Sequence, residues 1–283
     1  MNHRSVIGAT AATVEVDGVR LAFDADGGGP TLVCLHAVGH GASDFARIRE
    51  RFQGRFRVIA LDWPGQGNSG PDRVVTSAAR YAELLRGFLD AIGVDKAVLL
   101  GNSIGGAAAL RFAASHPERV WGLVLANPGG IDRADWLGRT VCWLFARFFA
   151  LGAHGARWFP AAFALYYRIV LPGRAAAAQR ARIVATAREV APVLAQAWTS
   201  FSAPEADLRS LVPQVSCPVL VAWAKRDRIL QLRRNLPAIR RFPNAKLETF
   251  EAGHAPFLET PEAFDASLER FLVSLPAAAL LRH

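Results

Sequence analysis

Lys96-Ala97-Val98-Leu99-Leu100-Gly101-Asn102-Ser103-Ile104-Gly105-Gly106-Ala107-Ala108-Ala109-Leu110-Arg111-Phe112-Ala113-Ala114 joins an apolar, strand-like run to an alanine-rich run of strong helix propensity. At the join, a serine has glycine two places before it and two places after it. Residues that small permit a very tight strand-to-helix turn, which holds the hydroxyl clear of the backbone at the mouth of a sheet. Gly-x-Ser-x-Gly in that context is the pattern of a nucleophile elbow, with Ser103 as its candidate nucleophile. Without the flanking strand and helix the five residues would mean little, since glycine and serine are common in turns.

Working outward, strand-like runs occupy Ala12 to Val16 and Val19 to Phe23, separated by a hairpin-type Asp17-Gly18 turn. Thr31 to Leu35, Phe56 to Leu61, Lys96 to Leu100 and Val120 to Ala126 read as buried strands. Helical patterns fall between them, at Ser43 to Phe52, at Thr76 to Ile92 with Gly93 as its cap, and after the elbow. Alternating apolar strands and helices predict a parallel sheet covered on both faces, with the opening hairpin as an antiparallel edge.

The alternation stops between Pro128-Gly129-Gly130 and Pro213, where aromatic, alanine-rich helical stretches such as 143–149 and 158–167 replace strands. Strands resume at Pro218 to Ala224 and Lys246 to Phe250, and an amphipathic helix covers Pro261 to Leu275. The expected architecture is α/β: a mostly parallel, eight-stranded sheet. Its core comes from 1–130 and 213–283, interrupted by a helical cap over 131–212.

The 283 residues suit one large domain, and 52% hydrophobic with 20% charged residues argues against disorder. A formal charge of +9 invites thoughts of nucleic acid. The basic residues are 30 Arg and 3 Lys spread over the whole length, without a nucleic-acid motif, so a solvated basic surface is the expectation. Cys34, Cys142 and Cys217 lack metal-ligand spacing and are expected to be reduced thiols; no metal or organic cofactor is expected. Met1 to Thr10 has no apolar signal core and no run reaches the length of a spanning helix, so a cytoplasmic protein is expected.

Four further pieces lie at the C-terminal ends of strands, where open α/β sheets bind ligands. Asp227 follows one strand by three residues, and His254 follows the last strand in Glu251-Ala252-Gly253-His254. His36 leads into Ala37-Val38-Gly39-His40-Gly41, and Asp62-Trp63-Pro64-Gly65-Gln66-Gly67 closes another strand. The order Ser103, Asp227, His254 is that of one triad class, with the base last. A serine hydroxyl needs a neighbouring base to be a competent nucleophile; His254 would supply it, and Asp227 would orient the imidazole. Two N–H donors would hold the developing oxyanion, those of Ile104 and Val38. His36 and His40 could shape that loop or contact substrate, but structural hydrogen bonding is at least as good a reading, and neither is assigned to catalysis.

With these motifs the chain resembles the α/β-hydrolase fold superfamily over nearly its whole length. Carrying residues are His36 to Gly39, Asp62 to Ser69, Gly101 to Gly106, Ala224 to Asp227 and Gly253 to Glu262. The resemblance implies Ser103 as nucleophile, Asp227 as acid and His254 as base. Two departures stand out. His36-Ala37 replaces the usual His-Gly, and Ile229-Leu230 lacks the proline that usually follows the acid.

A serine nucleophile excludes the dehalogenase and epoxide-hydrolase members of the superfamily, which use aspartate there. Gly101 to Gly106 with Asn127-Pro128-Gly129-Gly130 looks like the meta-cleavage-product hydrolases, which split C–C bonds. Those enzymes usually carry an aromatic residue after the catalytic histidine, where this chain has Ala255, and a cap arginine for the substrate carboxylate. Arg133, Arg139, Arg147, Arg157 and Arg168 all qualify by sequence. The Gly-His-Ala-Pro ending is closer to carboxylesterases, so a small ester with an apolar group is the expected substrate. A non-catalytic binding or scaffold protein of this fold, or a membrane-surface role for the basic, aromatic cap, are the non-enzymatic alternatives.

Overall fold

The computed structural model describes residues 12–132 and 135–276. Eight strands form one sheet in the order β1-β2-β4-β3-β5-β6-β7-β8. They are β1 (Ala12–Val16), β2 (Val19–Asp26), β3 (Thr31–Leu35), β4 (Arg57–Leu61), β5 (Ala97–Asn102), β6 (Val120–Ala126), β7 (Val219–Ala224) and β8 (Ala245–Phe250). β1 and β2 are antiparallel and β2 joins β4 antiparallel; every pairing from β4 through β8 is parallel. Asp17 and Gly18 both take positive φ, 51° and 75°, the two-residue turn that twists with its strands.

Ten helices accompany the sheet among the described residues: α1 (Ala46–Phe52), α2 (Ala78–Ala91), α3 (Ile104–Ser115), α4 (Trp136–Ala153), α5 (Phe159–Val170), α6 (Ala177–Ala185), α7 (Ala187–Ser200), α8 (Leu232–Ile239), α9 (Pro256–Glu259) and α10 (Pro261–Ser274). α2 and α3 pack together over one face. α1 and α10 share the other, tied by Arg47–Asp265 at 3.0 Å and Arg51–Glu269 at 3.0 Å. Central strands β3, β5 and β7 are buried along nearly their whole length, which is why they read as unbroken apolar runs. Edge strand β8 is exposed at Ala245, Lys246 and Thr249 and carries Lys246 and Glu248 in an ion pair, charges that discourage edge-to-edge pairing.

α2 begins with Ser77 accepting the Arg80 N–H and ends at Gly93, whose φ of 67° suits a left-handed cap. Inside its first turn, buried Arg80 pairs with Asp72 at 2.7 Å. The three cysteines are free; burial pushes the Cys217 thiol up to about 11 and Cys34 further still, so neither is a reactive thiolate.

α4 to α7 stand between β6 and β7, so the strand-free stretch is helical as its sequence predicts. α4 and α7 pack along each other, with Phe145 and Trp198 stacked at 4.4 Å between ring centroids. Phe149, Phe159 and Phe163 are fully buried among them. The block is seated on the sheet by hydrogen bonds from Thr76 N–H to Gln196 Oε1, from His254 N–H to Val170 O, and from Gly173 N–H to Glu259 Oε2. No helix among the described residues is long and apolar enough to cross a membrane.

Candidate active site

All five motifs arrive at one edge of the sheet because their strands are parallel and nearly in register. Ser103 leaves the end of β5 with φ 55° and ψ −119°, a conformation L-residues rarely adopt. The neighbouring glycines make the turn possible. A Cβ on Gly101 would lie 2.5 Å from the Gly105 carbonyl oxygen, and one on Gly105 would lie 2.3 Å from the Leu35 carbonyl oxygen. The turn is pinned by Ser103 N–H donating to Ala126 O at 3.2 Å, and α3 starts at Ile104 directly behind the hydroxyl.

Asp227, buried beyond β7, does not pair with Arg226 or Arg228. Its carboxylate collects four donors. His254 Nδ1 stands 2.7 Å from Oδ2, and Asn127 Nδ2 donates to the same oxygen at 2.6 Å. Ile229 and Leu230 N–H donate to Oδ1 at 2.7 and 3.0 Å. The missing proline thus has a consequence: Leu230 supplies an N–H that proline lacks. With Nδ1–H given to the carboxylate, the lone pair of neutral His254 is on Nε2. Burial lowers the His254 pKa, but the charge and hydrogen bond of Asp227 outweigh it, leaving it above the ordinary value.

The Asp62-Trp63-Pro64-Gly65-Gln66-Gly67 motif holds the loop after β3. Asp62 accepts from Ala42 N–H at 2.6 Å and Asn68 N–H at 2.9 Å, while Gln66 Oε1 accepts from Gly39 N–H. His36 is wholly buried beneath it. Its Nδ1 faces Ala37 O at 2.7 Å and its Nε2 accepts the Trp63 N–H at 2.9 Å, so it is a neutral structural bridge. Burial lowers its pKa, in keeping with that role. Ala37 is tolerated in place of glycine because the left-handed residue of the loop is Gly39, at φ 82°.

Ser103, His254, Val38 and Ile104 line one cavity of about 530 Å³, lying between the sheet edge and the helical block. Asp227 is behind His254, reached through the imidazole. Phe145, Tyr166, Tyr167, Leu194 and Trp198 form much of the wall, so part of the aromatic set packs the helices and part faces the cavity. Burial pushes both tyrosine phenols well above their ordinary value, which keeps them neutral. His40 also lines the cavity, its Nδ1 2.6 Å from Asp44 Oδ2. Of the five arginines named from sequence, Arg139 lines the cavity, Arg147, Arg157 and Arg168 do not, and Arg133 lies outside the described residues. No group of three or more metal-ligating side chains occurs among the described residues.

Sequence reasoning missed Asn127 as a partner of Asp227. It closes β6 with φ 44°, accepts Ala224 N–H on Oδ1 at 2.8 Å and donates to Asp227. An asparagine at the end of a strand, before Pro128, was the available signal: Asn tolerates the left-handed region better than most residues. Glu259 was missed too; its two oxygens accept from Gly253 and Gly173 N–H and so tie the His254 loop to the helical block.

A profile of the alpha/beta hydrolase family matches residues 32–266. The chain belongs to that family. Within it, the hydrolase is similar to an uncharacterized protein of Mycobacterium tuberculosis (strain ATCC 25618 / H37Rv), 27% identical, covering 95% of this chain and 83% of the relative. It is also similar to a 2-hydroxy-6-oxo-6-phenylhexa-2,4-dienoate hydrolase of Burkholderia cepacia, 28% identical over 90% of this chain and 92% of that one. Among solved structures, a membrane phospholipase A described as a bacterial virulence factor is 26% identical with a TM-score of 0.73, covering 93% of this hydrolase and 86% of the other chain.

Proposed function

We propose that the chain is a serine hydrolase acting on a carboxylic ester with an apolar group, under a cap formed by 131–212. The carrying observation is the strained Ser103 turn sharing an apolar cavity with His254, whose other nitrogen is bound to Asp227. Ser103 Oγ attacks the ester carbonyl as His254 Nε2 takes its proton. The Val38 and Ile104 N–H groups receive the negative charge of the tetrahedral intermediate. Protonated His254 then returns the proton to the leaving alkoxide as the C–O bond breaks, and the acyl group remains on Ser103. Water, deprotonated by His254, releases the acid and regenerates the serine. No cofactor enters these steps.

The apolar wall supports an ester with a hydrocarbon acyl or alcohol portion. C–C hydrolysis of a meta-cleavage product is the second reading, favoured by the Burkholderia relative and by Arg139 on the cavity wall, a cation for a substrate carboxylate.

Ser103→Ala tests the mechanism. It removes the nucleophile while leaving the backbone of the turn, so hydrolysis of a short p-nitrophenyl ester should vanish at unchanged melting temperature. Retained turnover would exclude Ser103 as nucleophile. Esters of graded chain length, run beside a 2-hydroxy-6-oxo-dienoate, separate the two substrates by kcat/KM.

A further inference from the structure

We infer that the outer face of the helical block between β6 and β7 docks on an anionic lipid bilayer surface. α4 buries one side against α5 and α7 and leaves the other in water. Trp136, Leu137, Trp143, Leu144 and Leu151 on that side are 78, 50, 60, 54 and 44% exposed. At 100° per residue these five, with exposed Arg147, fall within an arc of about 120°. The lead-in to α5 and its outer side repeat the combination: Trp158, Leu165 and Ile169 are exposed beside exposed Arg157 and Arg168.

Charge identifies the partner. From Trp136 through Arg188 the chain has eight arginines and no aspartate or glutamate. A second copy of this chain would cover the apolar side chains but bring two such unopposed positive blocks together. A hydrophilic polyanion would neutralise the arginines and leave three tryptophans and several leucines in water. A bilayer with anionic headgroups satisfies both, since tryptophan favours the headgroup boundary and arginine its phosphates. No described helix can span the hydrocarbon, so contact is along the surface.

The same face opens onto the cavity. Val141 on α4 and Ile169 on α5 are exposed to solvent and also line the cavity that holds Ser103. These two apolar side chains therefore link the bilayer side to the cavity of the serine, a route for a long acyl chain. This second half of the inference rests on the hydrolase reading; the docking does not.

Vesicle flotation tests it, using phosphatidylcholine alone and phosphatidylcholine with about a third phosphatidylglycerol. The wild-type protein should float with the anionic vesicles at low salt, bind neutral ones at least about tenfold more weakly, and have its tryptophan emission quenched by brominated acyl chains. Trp136→Ser/Trp143→Ser/Leu144→Ser and, separately, Arg147→Glu/Arg157→Glu should each weaken binding at least about tenfold. Both variants should melt and turn over a short, water-soluble ester as the wild type does. No wild-type binding to anionic vesicles at low salt overturns the inference, as does undiminished binding by both variants. So does a dimer in light scattering that the serine variant abolishes without any vesicle binding. Vesicle binding without ester turnover would count against the hydrolase reading alone.

Discussion

Asn127→Ala separates a residue that positions the acid from one that merely fills space. The side chain is fully buried and makes two hydrogen bonds, to Asp227 Oδ2 at 2.6 Å and from Ala224 N–H at 2.8 Å. Losing a bond to a charged group costs about 1.5–3 kcal/mol, and an orphaned buried N–H about 1–3. The φ of 44° adds about 1–2 kcal/mol for alanine and much less for glycine. Because these effects overlap, about 3–6 kcal/mol is expected for alanine, with Asn127→Gly milder by about 1. At about 2–4 °C per kcal/mol for a chain near this size, the melting temperature should fall on the order of 10 °C.

The kinetic signature of Asn127→Ala has a sign. His254 already sits above its ordinary pKa, because Asp227 outweighs the effect of burial. Removing the Asn127 donor leaves more negative charge on Oδ2 facing Nδ1, which favours the imidazolium further. In the proposed mechanism His254 must be neutral to accept the serine proton, so activity is expected to be gained as pH rises through this pKa. The acid limb of kcat/KM should therefore move upward, by at most about one unit, equivalent to about 1.4 kcal/mol. The raised pKa also means the pair stabilises the fold most below pH 6.5, a contribution lost as pH rises through the folded value. An acid limb that stays in place or moves down would refute a positioning role for Asn127.

Three further outcomes are expected. Asp227→Asn leaves burial at His254 opposed only by the charge of Glu259, so the acid limb should move down while turnover falls by about 10³–10⁴-fold; an unmoved limb in a pH–rate series would deny Asp227 its charge effect. Gly105→Ala places a Cβ 2.3 Å from the Leu35 carbonyl oxygen, and displacing α3 should cost at least about 3 kcal/mol and abolish turnover; wild-type melting and kinetics would contradict the close approach. Arg80→Met leaves the half-buried Asp72 without its cation and should cost about 2–3 kcal/mol by urea denaturation, against which a midpoint within error of wild type would stand.

What was legible in sequence was what is local. The elbow lies within a few residues of Ser103, and its glycines are dictated by clashes with carbonyls of the same turn and of β3. Asp227 and His254 could be placed because parallel strands bring their C-terminal ends to one edge. The neutral state of His36 and the Asn127–Asp227 bond were not legible, since each depends on partners 27 and 100 residues away. The helical block was recognised as helical, but α6 and α7 were not separated. Neither has a side-chain N-cap bond, and α7 carries Pro192 inside its span, so the usual punctuation is absent. α8 escaped for a similar reason, with Pro237 in its interior.

Charge shows most clearly why a correct count can mislead. Thirty arginines in 283 residues look evenly spread, and the eight between Trp136 and Arg188 exceed that average only modestly. Arginine density alone therefore marks no part of the chain. The asymmetry lies in the other sign: the chain has 24 acidic residues, and none falls in those 53 positions. Potential at a surface depends on the local difference between charges, not on the density of one kind. A stretch with unremarkable arginine content thus carries a formal +8 against +9 for the whole chain. Folding places three of these arginines, Arg147, Arg157 and Arg168, beside the exposed tryptophans and leucines of α4 and α5, and the combination becomes meaningful only there. A basic surface elsewhere on the sheet core, where acids are interspersed, would have no such preference for an anionic bilayer.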